Sequence, residues 1–324
     1  RSYITCEVTI LLDFLREENI DPKIIDEIMT FREKYWPQSE CLGQCSKDSL
    51  QAAYRDNSKD IYYGKEVWEQ AARALLCGKS LLLVGDKATG KNMLAENLAH
   101  AFGRPLWNVS FHINMDASYM IGTDTFRDGQ VTFRPGPVYE SALKGGFCVL
   151  DEINMARNEA LAVLHSALDF RRVINVPGYD SICVHPAARF IATMNYGYAG
   201  TRELNEALTS RFMVIHMPQI SAENLEKLIR RGFPTMKKTY VSQFAGLFND
   251  IEKKCESGEL SSRVLDLRGM LDAISLMKSG LAPVAALDMG MTNKTFDPYE
   301  QTLVRDVIAA RIPAGTSAGE IFAG

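Results

Sequence analysis

An eight-residue loop, Gly85-Asp86-Lys87-Ala88-Thr89-Gly90-Lys91-Asn92, lies between the apolar run Leu81-Leu-Leu-Val84 and an amphipathic stretch that continues through Met93. Glycines let successive backbone N–H groups turn inward around an anion, and a helix that starts there adds its positive end. Lys91 then supplies a mobile charge for β- and γ-phosphate oxygens. Phosphate loops usually end in Ser or Thr, whose hydroxyl meets magnesium. Here the position is Asn92, and its amide oxygen is a hard ligand able to contact magnesium or one of its waters. Taken alone, the stretch also fits a glycine turn with an incidental lysine, so other residues must decide.

Phe147-Cys-Val-Leu-Asp151-Glu152 reads as a buried strand ending in two carboxylates, at the strand end where parallel sheets bind ligands. Asp151 suits holding magnesium, directly or through water, and Glu152 suits polarising a water that attacks a γ-phosphate. The plainer reading is a strand that simply leaves the core. A further apolar run, Phe190-Ile-Ala-Thr-Met194, ends at Asn195. If the two strands are neighbours, Asn195 stands beside the acids and can orient the water. Read by itself, Asn195-Tyr-Gly197 is an ordinary turn.

These residues need a scaffold, and the hydrophobic pattern predicts one. Five short strands, Ser80 to Val84, Leu106 to Phe111, Phe147 to Asp151, Arg189 to Met194 and Phe212 to His216, alternate with helices, notably Lys91 to Phe102 and Asn158 to Leu168. Continuous apolar strands separated by helices predict a parallel sheet covered on both faces. Before it, Ile10, Leu11, Phe14 and Leu15, then Ile24, Ile25, Ile28 and Met29, recur at helical spacing, and Asp21-Pro22 marks a helix start. After Pro218 only helical periodicity remains, over Ala222 to Arg231, Tyr240 to Glu256, Arg263 to Met277 and Pro298 to Arg311. The expected organisation is an N-terminal helical segment over 1–58, an α/β core over 59–218, a helical unit over 219–312 and a fraying tail over 313–324. Thr123 to Phe133 reads as a hairpin turning at Asp128-Gly129.

Composition narrows the function classes. The chain has 324 residues, 46% hydrophobic and 23% charged, with a formal charge of −4, which argues against a protein that works by neutralising nucleic-acid backbones. Arg230-Arg231, Lys237-Lys238 and Lys253-Lys254 fit solvated helix faces better than a nucleic-acid groove. No apolar run reaches the ~18–20 residues of a membrane span; the longest candidate, Ala74 to Gly85, is broken by Lys79. Seven scattered cysteines, an odd number without a disulfide framework, favour a reducing cytoplasm. Cys41 and Cys45 have no second pair nearby to complete a zinc site.

Four further motifs, Phe133-Arg-Pro-Gly-Pro-Val138, Leu150-Asp-Glu-Ile-Asn-Met-Ala156, Ala192-Thr-Met-Asn195 and Leu204-Asn-Glu-Ala-Leu-Thr-Ser-Arg-Phe212, give a resemblance to the AAA+ superfamily over roughly Ile61 to Met277. Within it the chain resembles the MoxR group, including the branch that activates Rubisco and nitric-oxide reductase. The resemblance implies an αβα P-loop NTPase core with an all-helical lid, and an ATP hydrolase with Mg2+ that works as a homo-oligomeric, hexameric ring on a client protein. Such relatives commonly act with a von Willebrand factor A-type partner. The resemblance also implies an insertion around Tyr119 to Pro137 and a second over Arg172 to His185 around the Pro177-Gly178 turn; in relatives such loops line a pore or face the client, while Met120, Phe126 and Phe133 equally fit local packing. By the same resemblance Lys91 is the phosphate lysine, Asp151 and Glu152 are the magnesium and base acids, and Asn195 is the first sensor. Arg211 matches an arginine finger directed at a neighbour's nucleotide, and Arg263 the second sensor on the lid. Arg202 and Arg268 are rivals for those two roles. Asn92, and Ala88 where such loops often carry Gly, depart from the pattern in ways that bear on hydrolysis rate more than on binding. A nucleotide-dependent switch with little hydrolysis and, further off, a nucleic-acid motor are the alternative functions.

Overall fold

The computed structural model describes residues 11–35, 61–127, 129–195 and 203–323. The chain divides into two compact units, Arg1–Asp86 with Gly90–Pro218, and Gln219–Gly324 with Lys87–Thr89. The strands of the first unit are, in chain order, β1 (Ser80–Val84), β2 (Leu106–Ser110), the hairpin β3 (Gly122–Arg127) and β4 (Gln130–Pro135), β5 (Phe147–Asp151), the short pair β6 (Val173–Ile174) and β7 (Ile182–Cys183), β8 (Arg189–Met194) and β9 (Phe212–His216).

β1 is buried at every position, and β5 and β8 at all but the last. Strands so apolar must be covered on both faces, which is why they pair in parallel and are joined through helices. The sheet order is β2-β5-β8-β1-β9, with every neighbouring pair parallel. Four strands have the bounds expected from sequence; β2 ends one residue early, at Ser110. Because β8 lies between β1 and β5, with Val84 level with Met194 and Leu150 level with Ala192, the carboxyl ends of all three strands stand in one row. The helix Lys91–Ala101 leaves β1. The stretch expected as one helix from Asn158 to Leu168 is instead two short helices, Asn158–Leu161 and His165–Leu168, around a 3-10 turn at Ala162–Leu164.

Residues 11–35 lie in this same unit; the remainder of the anticipated 1–58 segment, with Cys41 and Cys45, is outside the described residues. The helix Pro22–Tyr35 starts at the expected Asp21-Pro22 and packs Phe31 edge-on to Phe102 at 5.1 Å. Its Arg32 donates to the carbonyls of Ala101 (3.0 Å) and His100 (3.2 Å) at the end of helix Lys91–Ala101. Two other buried arginines repeat the device. Arg104 donates to Gly145 O (2.7 Å) and Lys144 O (3.1 Å) after helix Pro137–Lys144, and Arg189 to Leu75 O (2.6 Å) in the last turn of helix Lys65–Leu76. A guanidinium at a helix C-terminus satisfies orphan carbonyls and meets the negative end of the helix dipole.

Of the residues noted in the first insertion, Met120 is buried and Phe133 packs against Tyr139 and Tyr179 with ring centroids 5.3 and 5.0 Å apart. Phe126 is 74% exposed. Asp128, half of the expected turn, is outside the described residues. Tyr179 also donates to Asp124 Oδ1 at 2.6 Å, so the two insertions are tied together.

The second unit is helical, with Ala222–Gly232, Lys238–Glu256, Leu267–Lys278, Pro283–Gly290 and Pro298–Arg311. Two expectations need correction here. The helix foreseen from Arg263 begins at Leu267, because Asp266 caps it by accepting from Gly269 N at 3.2 Å. The tail from Pro313, expected to fray, instead forms a helix at Ala318–Ile321 with a Ser317/Glu320 capping box; Ile321 is buried and its carbonyl accepts from Lys237 N at 3.0 Å. Helix Pro283–Gly290 was not foreseen, since Ala282 to Gly290 is apolar nearly throughout and shows no stripe. It crosses Leu267–Lys278 at two glycines: a Cβ on Gly269 would lie 2.1 Å from Gly290 O. A backbone carbonyl cannot swing aside, so Gly269→Ala should destabilise the protein by about 1–3 kcal/mol, as overpacking does. An unchanged denaturation midpoint would show that this crossing opens freely.

Candidate functional site

The loop after β1 turns at Gly90, which has φ +80 and caps helix Lys91–Ala101 without any side-chain hydrogen bond. A Cβ there would lie 2.8 Å from the Tyr62 ring, so both the backbone angle and the space require glycine. The uncapped first turn leaves N–H groups directed out of the helix start. Ala88 also adopts a left-handed φ, +66, which costs a residue with a Cβ about 1–2 kcal/mol. Gly85 and Gly90 are half-buried, Asp86 and Lys87 exposed and Thr89 buried. Lys91 is buried, and its Nζ donates to Gly85 O (2.9 Å) and Asp86 O (2.6 Å). Burial pushes its amine down to about 8, against the pull of Asp86, Asp151 and Glu152. The ammonium thus rests on carbonyls of its own loop, which phosphate oxygens can replace. Asn92 and Met93 follow in the first helical turn, Asn92 exposed.

The acids are held from β8. Thr193, fully buried, donates through Oγ1 to Asp151 Oδ1 (2.6 Å) and accepts from the Glu152 N–H (3.0 Å). Glu152 has φ +54, a left-handed turn that carries the chain out of β5. Asn195 Nδ2 donates to Glu152 Oε1 at 3.0 Å, and Asn154 Nδ2 donates to Asn195 O at 2.9 Å. Asn154 is buried, and its Oδ1 has no partner. The sequence reading missed Thr193 and Asn154. A single hydroxyl inside the apolar run Phe190 to Met194 was the available signal, because a buried polar group needs a partner. Among the described residues no three His, Cys, Asp or Glu side chains gather around a metal position. Magnesium does not require one: it is commonly held by one or two carboxylates together with substrate phosphates and water. Asp151, with only Oδ1 engaged by Thr193, fits that arrangement.

The comparisons agree with this geometry. Residues 80–212 match the AAA domain of the dynein-related subfamily. The chain is 32% identical over 240 residues to the uncharacterized protein YojN of Bacillus subtilis (strain 168), covering 72% of this chain and 78% of that one. It is 31% identical over 245 residues to the uncharacterized protein SAB1265c of Staphylococcus aureus (strain bovine RF122 / ET3-1), covering 73% and 92%. The chain belongs to the dynein-related subfamily of AAA-domain proteins. AAA domains form an ATPase family, so the loop, the acids and Asn195 lie within a nucleotide-binding domain.

Arg211, just before β9, makes its contacts with His165, Ala207 and Asp169. Arg202 is outside the described residues. Arg263 and Arg268 belong to the second unit, both exposed, one in a turn and the other in the first turn of Leu267–Lys278.

Two measurements follow from the loop and the acids. Thr193→Val keeps the shape but strands the Glu152 N–H and frees Asp151, so it should lower stability by about 1–3 kcal/mol; Thr193→Ser should restore most of it. Equal denaturation curves for the Val and Ser variants would show the hydroxyl to be idle. For Lys91, the folded value of about 8 lies below the 10.5 of the free side chain. Between those pH values the unfolded chain therefore binds more protons, and stability contributed by this group rises with pH through that window. Lys91→Met should remove that rise, and a wild-type slope in the variant would contradict it.

Proposed function

We propose that this AAA-domain protein is an ATP hydrolase of the MoxR group that assembles into a homo-oligomeric, hexameric ring and remodels or activates a client protein in the cytoplasm. The observation that carries the reading is the hydrogen bond from Asn195 to Glu152, one strand away from Lys91 on the same edge of a parallel sheet. In this reading Gly85 to Met93 wrap the phosphates, and Lys91 exchanges its loop carbonyls for β- and γ-oxygens. Glu152 accepts a proton from the attacking water while Asn195 holds the carboxylate oriented. Asp151 and Asn92 would hold Mg2+, which when bound would neutralise charge on the phosphates. Arg211 serves the nucleotide of the next subunit, in keeping with its contacts lying away from its own loop. Arg263 acts as second sensor. The client fits a protein with a von Willebrand factor A-type domain. Asn92 in place of a hydroxyl residue favours, as a second reading, a nucleotide-dependent switch with slow turnover.

Steady-state phosphate release separates the readings. Glu152→Gln should bind ATP at least as well as wild type yet hydrolyse it ~10²- to 10⁴-fold more slowly, the usual worth of general-base assistance. Wild-type turnover in that variant would remove Glu152 from the mechanism, and a wild type without measurable turnover would leave the switch. Arg211→Ala should bind ATP and scarcely turn it over. Co-assembly with Lys91→Ala should recover part of the activity by rebuilding composite sites. Mixed rings as inactive as either parent would argue that Arg211 does not act across an interface.

A further inference from the structure

Arg211 is fastened to its own subunit by three acceptors. Its Nε donates to His165 O at 3.3 Å, Nη1 donates to Ala207 O, and Nη2 lies 3.7 Å from Asp169 Oδ2. His165 and Ala207 belong to two short helices, His165–Leu168 and Glu206–Thr209. Their carbonyls fix the root of the guanidinium but carry no net charge. Asp169 is the charged member of the set, and its side chain is only 10% exposed.

Asp169 is itself held. Arg171 Nε lies 3.2 and 3.1 Å from its two carboxylate oxygens, Arg171 Nη2 reaches Oδ2 at 2.6 Å, and the Arg171 backbone N–H reaches Oδ1 at 2.9 Å. Hydrogen bonds from Arg171 above all, with the charge of Arg211 added, draw the Asp169 carboxyl down to about 2, so it stays ionised across the working range. One carboxylate therefore carries two guanidiniums. Phe170, between Asp169 and Arg171 in the chain, is 93% exposed and Arg171 is exposed as well, so the cluster lies at the surface although the carboxylate itself is largely covered. The largely covered carboxylate thus joins an exposed arginine to a half-buried one, and ion pairs with so exposed a partner as Arg171 contribute little to stability by themselves. An acid that must hold a second arginine at a set position needs to be immobilised first, and this one is.

We propose that Asp169, clamped by Arg171, is a positioning residue for Arg211, holding that guanidinium where it meets the phosphates of a nucleotide bound by a neighbouring copy of this chain. The inference rests on the proposed role of Arg211 as a finger acting across an interface. It adds that the finger is preorganised within its own subunit before assembly. Misplacing a group that acts on the transition state by about 1 Å costs on the order of 10²-fold in rate.

The test is a cycle of full-length variants, Asp169→Asn, Arg211→Ala and the double variant, read by kcat and KM for ATP and accompanied by melting temperature and assembly size. Asp169→Asn keeps an acceptor for the Arg171 N–H and removes the charge. It should lower kcat about 10- to 100-fold with KM for ATP unchanged, because the ATP is bound by a subunit's own loop. Asp169→Glu should recover most of the loss. The double variant should turn over no more slowly than Arg211→Ala, since Asp169 acts only through Arg211. Arg171→Gln, at an exposed position, loosens the clamp without touching the carboxylate and should lower kcat in the same direction even if Asp169→Asn fails to fold. If Arg211→Ala is impaired while Asp169→Asn and Arg171→Gln keep wild-type kcat, the positioning role is overturned and the finger stands. A faster Asp169→Asn would show that the acid withholds the arginine, which also overturns it. So would a double variant slower than Arg211→Ala by the full Asp169→Asn factor. Wild-type kcat in Arg211→Ala would overturn the finger and this inference together.

Discussion

The insertion of β8 between β1 and β5 is the constraint on which the first unit depends. Parallel pairing aligns strand ends, so three loops that are distant in sequence emerge at one edge. The neighbouring position also lets one hydroxyl, that of Thr193, reach both the carboxylate of Asp151 and the N–H of Glu152. The left-handed turn at Glu152 is held in part by that bond. A strand order with β8 elsewhere would leave the turn unsupported, the acids splayed and Asn195 out of reach.

Electrostatics at this edge is tuned by burial. Lys91 sits among three carboxylates, yet its amine is drawn below the usual lysine range because desolvation outweighs their pull. Carbonyls of its own loop satisfy two of its N–H groups meanwhile. A charge so poorly solvated gains when an anion arrives, and the uncapped helix start beside it adds to that gain. The same physics appears with opposite sign elsewhere in the unit, where Arg32, Arg104 and Arg189 settle on helix carbonyl ends. The positive end of helix Lys91–Ala101 is left open at the site, and three negative helix ends are closed by guanidinium groups.

The cluster at Asp169 extends the pattern from binding to geometry. Its two arginines are near one another in space but far apart in sequence, and each has different anchors: Arg171 grips both oxygens of the acid, while Arg211 leans on two helix carbonyls and one of those oxygens. A long side chain carries considerable rotamer entropy, which such fixing removes in advance.

Much of this protein is legible in its residues. Apolar runs unbroken by polar positions announce buried parallel strands, and four of the five expected ones have their observed bounds, because burial on both faces leaves little choice of conformation. The loop at Gly85 to Asn92, the acids at Asp151 and Glu152, and Asn195 were marked by residue type and by their place at strand ends. What the sequence left open was whatever depends on which strands become neighbours. Adjacency of β5 and β8 turned Asn195 from a turn-former into a partner of Glu152, and gave Thr193 and Asn154 their contacts. Local pattern also misjudged elements held by distant contacts: the tail that docks through Ile321 on Lys237, and helix Pro283–Gly290, whose exposed positions Val284, Ala285 and Met289 are apolar like its buried ones and so leave no periodic stripe. Periodicity reports burial along one element. Pairing, capping by remote arginines and the sharing of Asp169 by two guanidiniums are set by distances across the chain, and only the folded structure decides those.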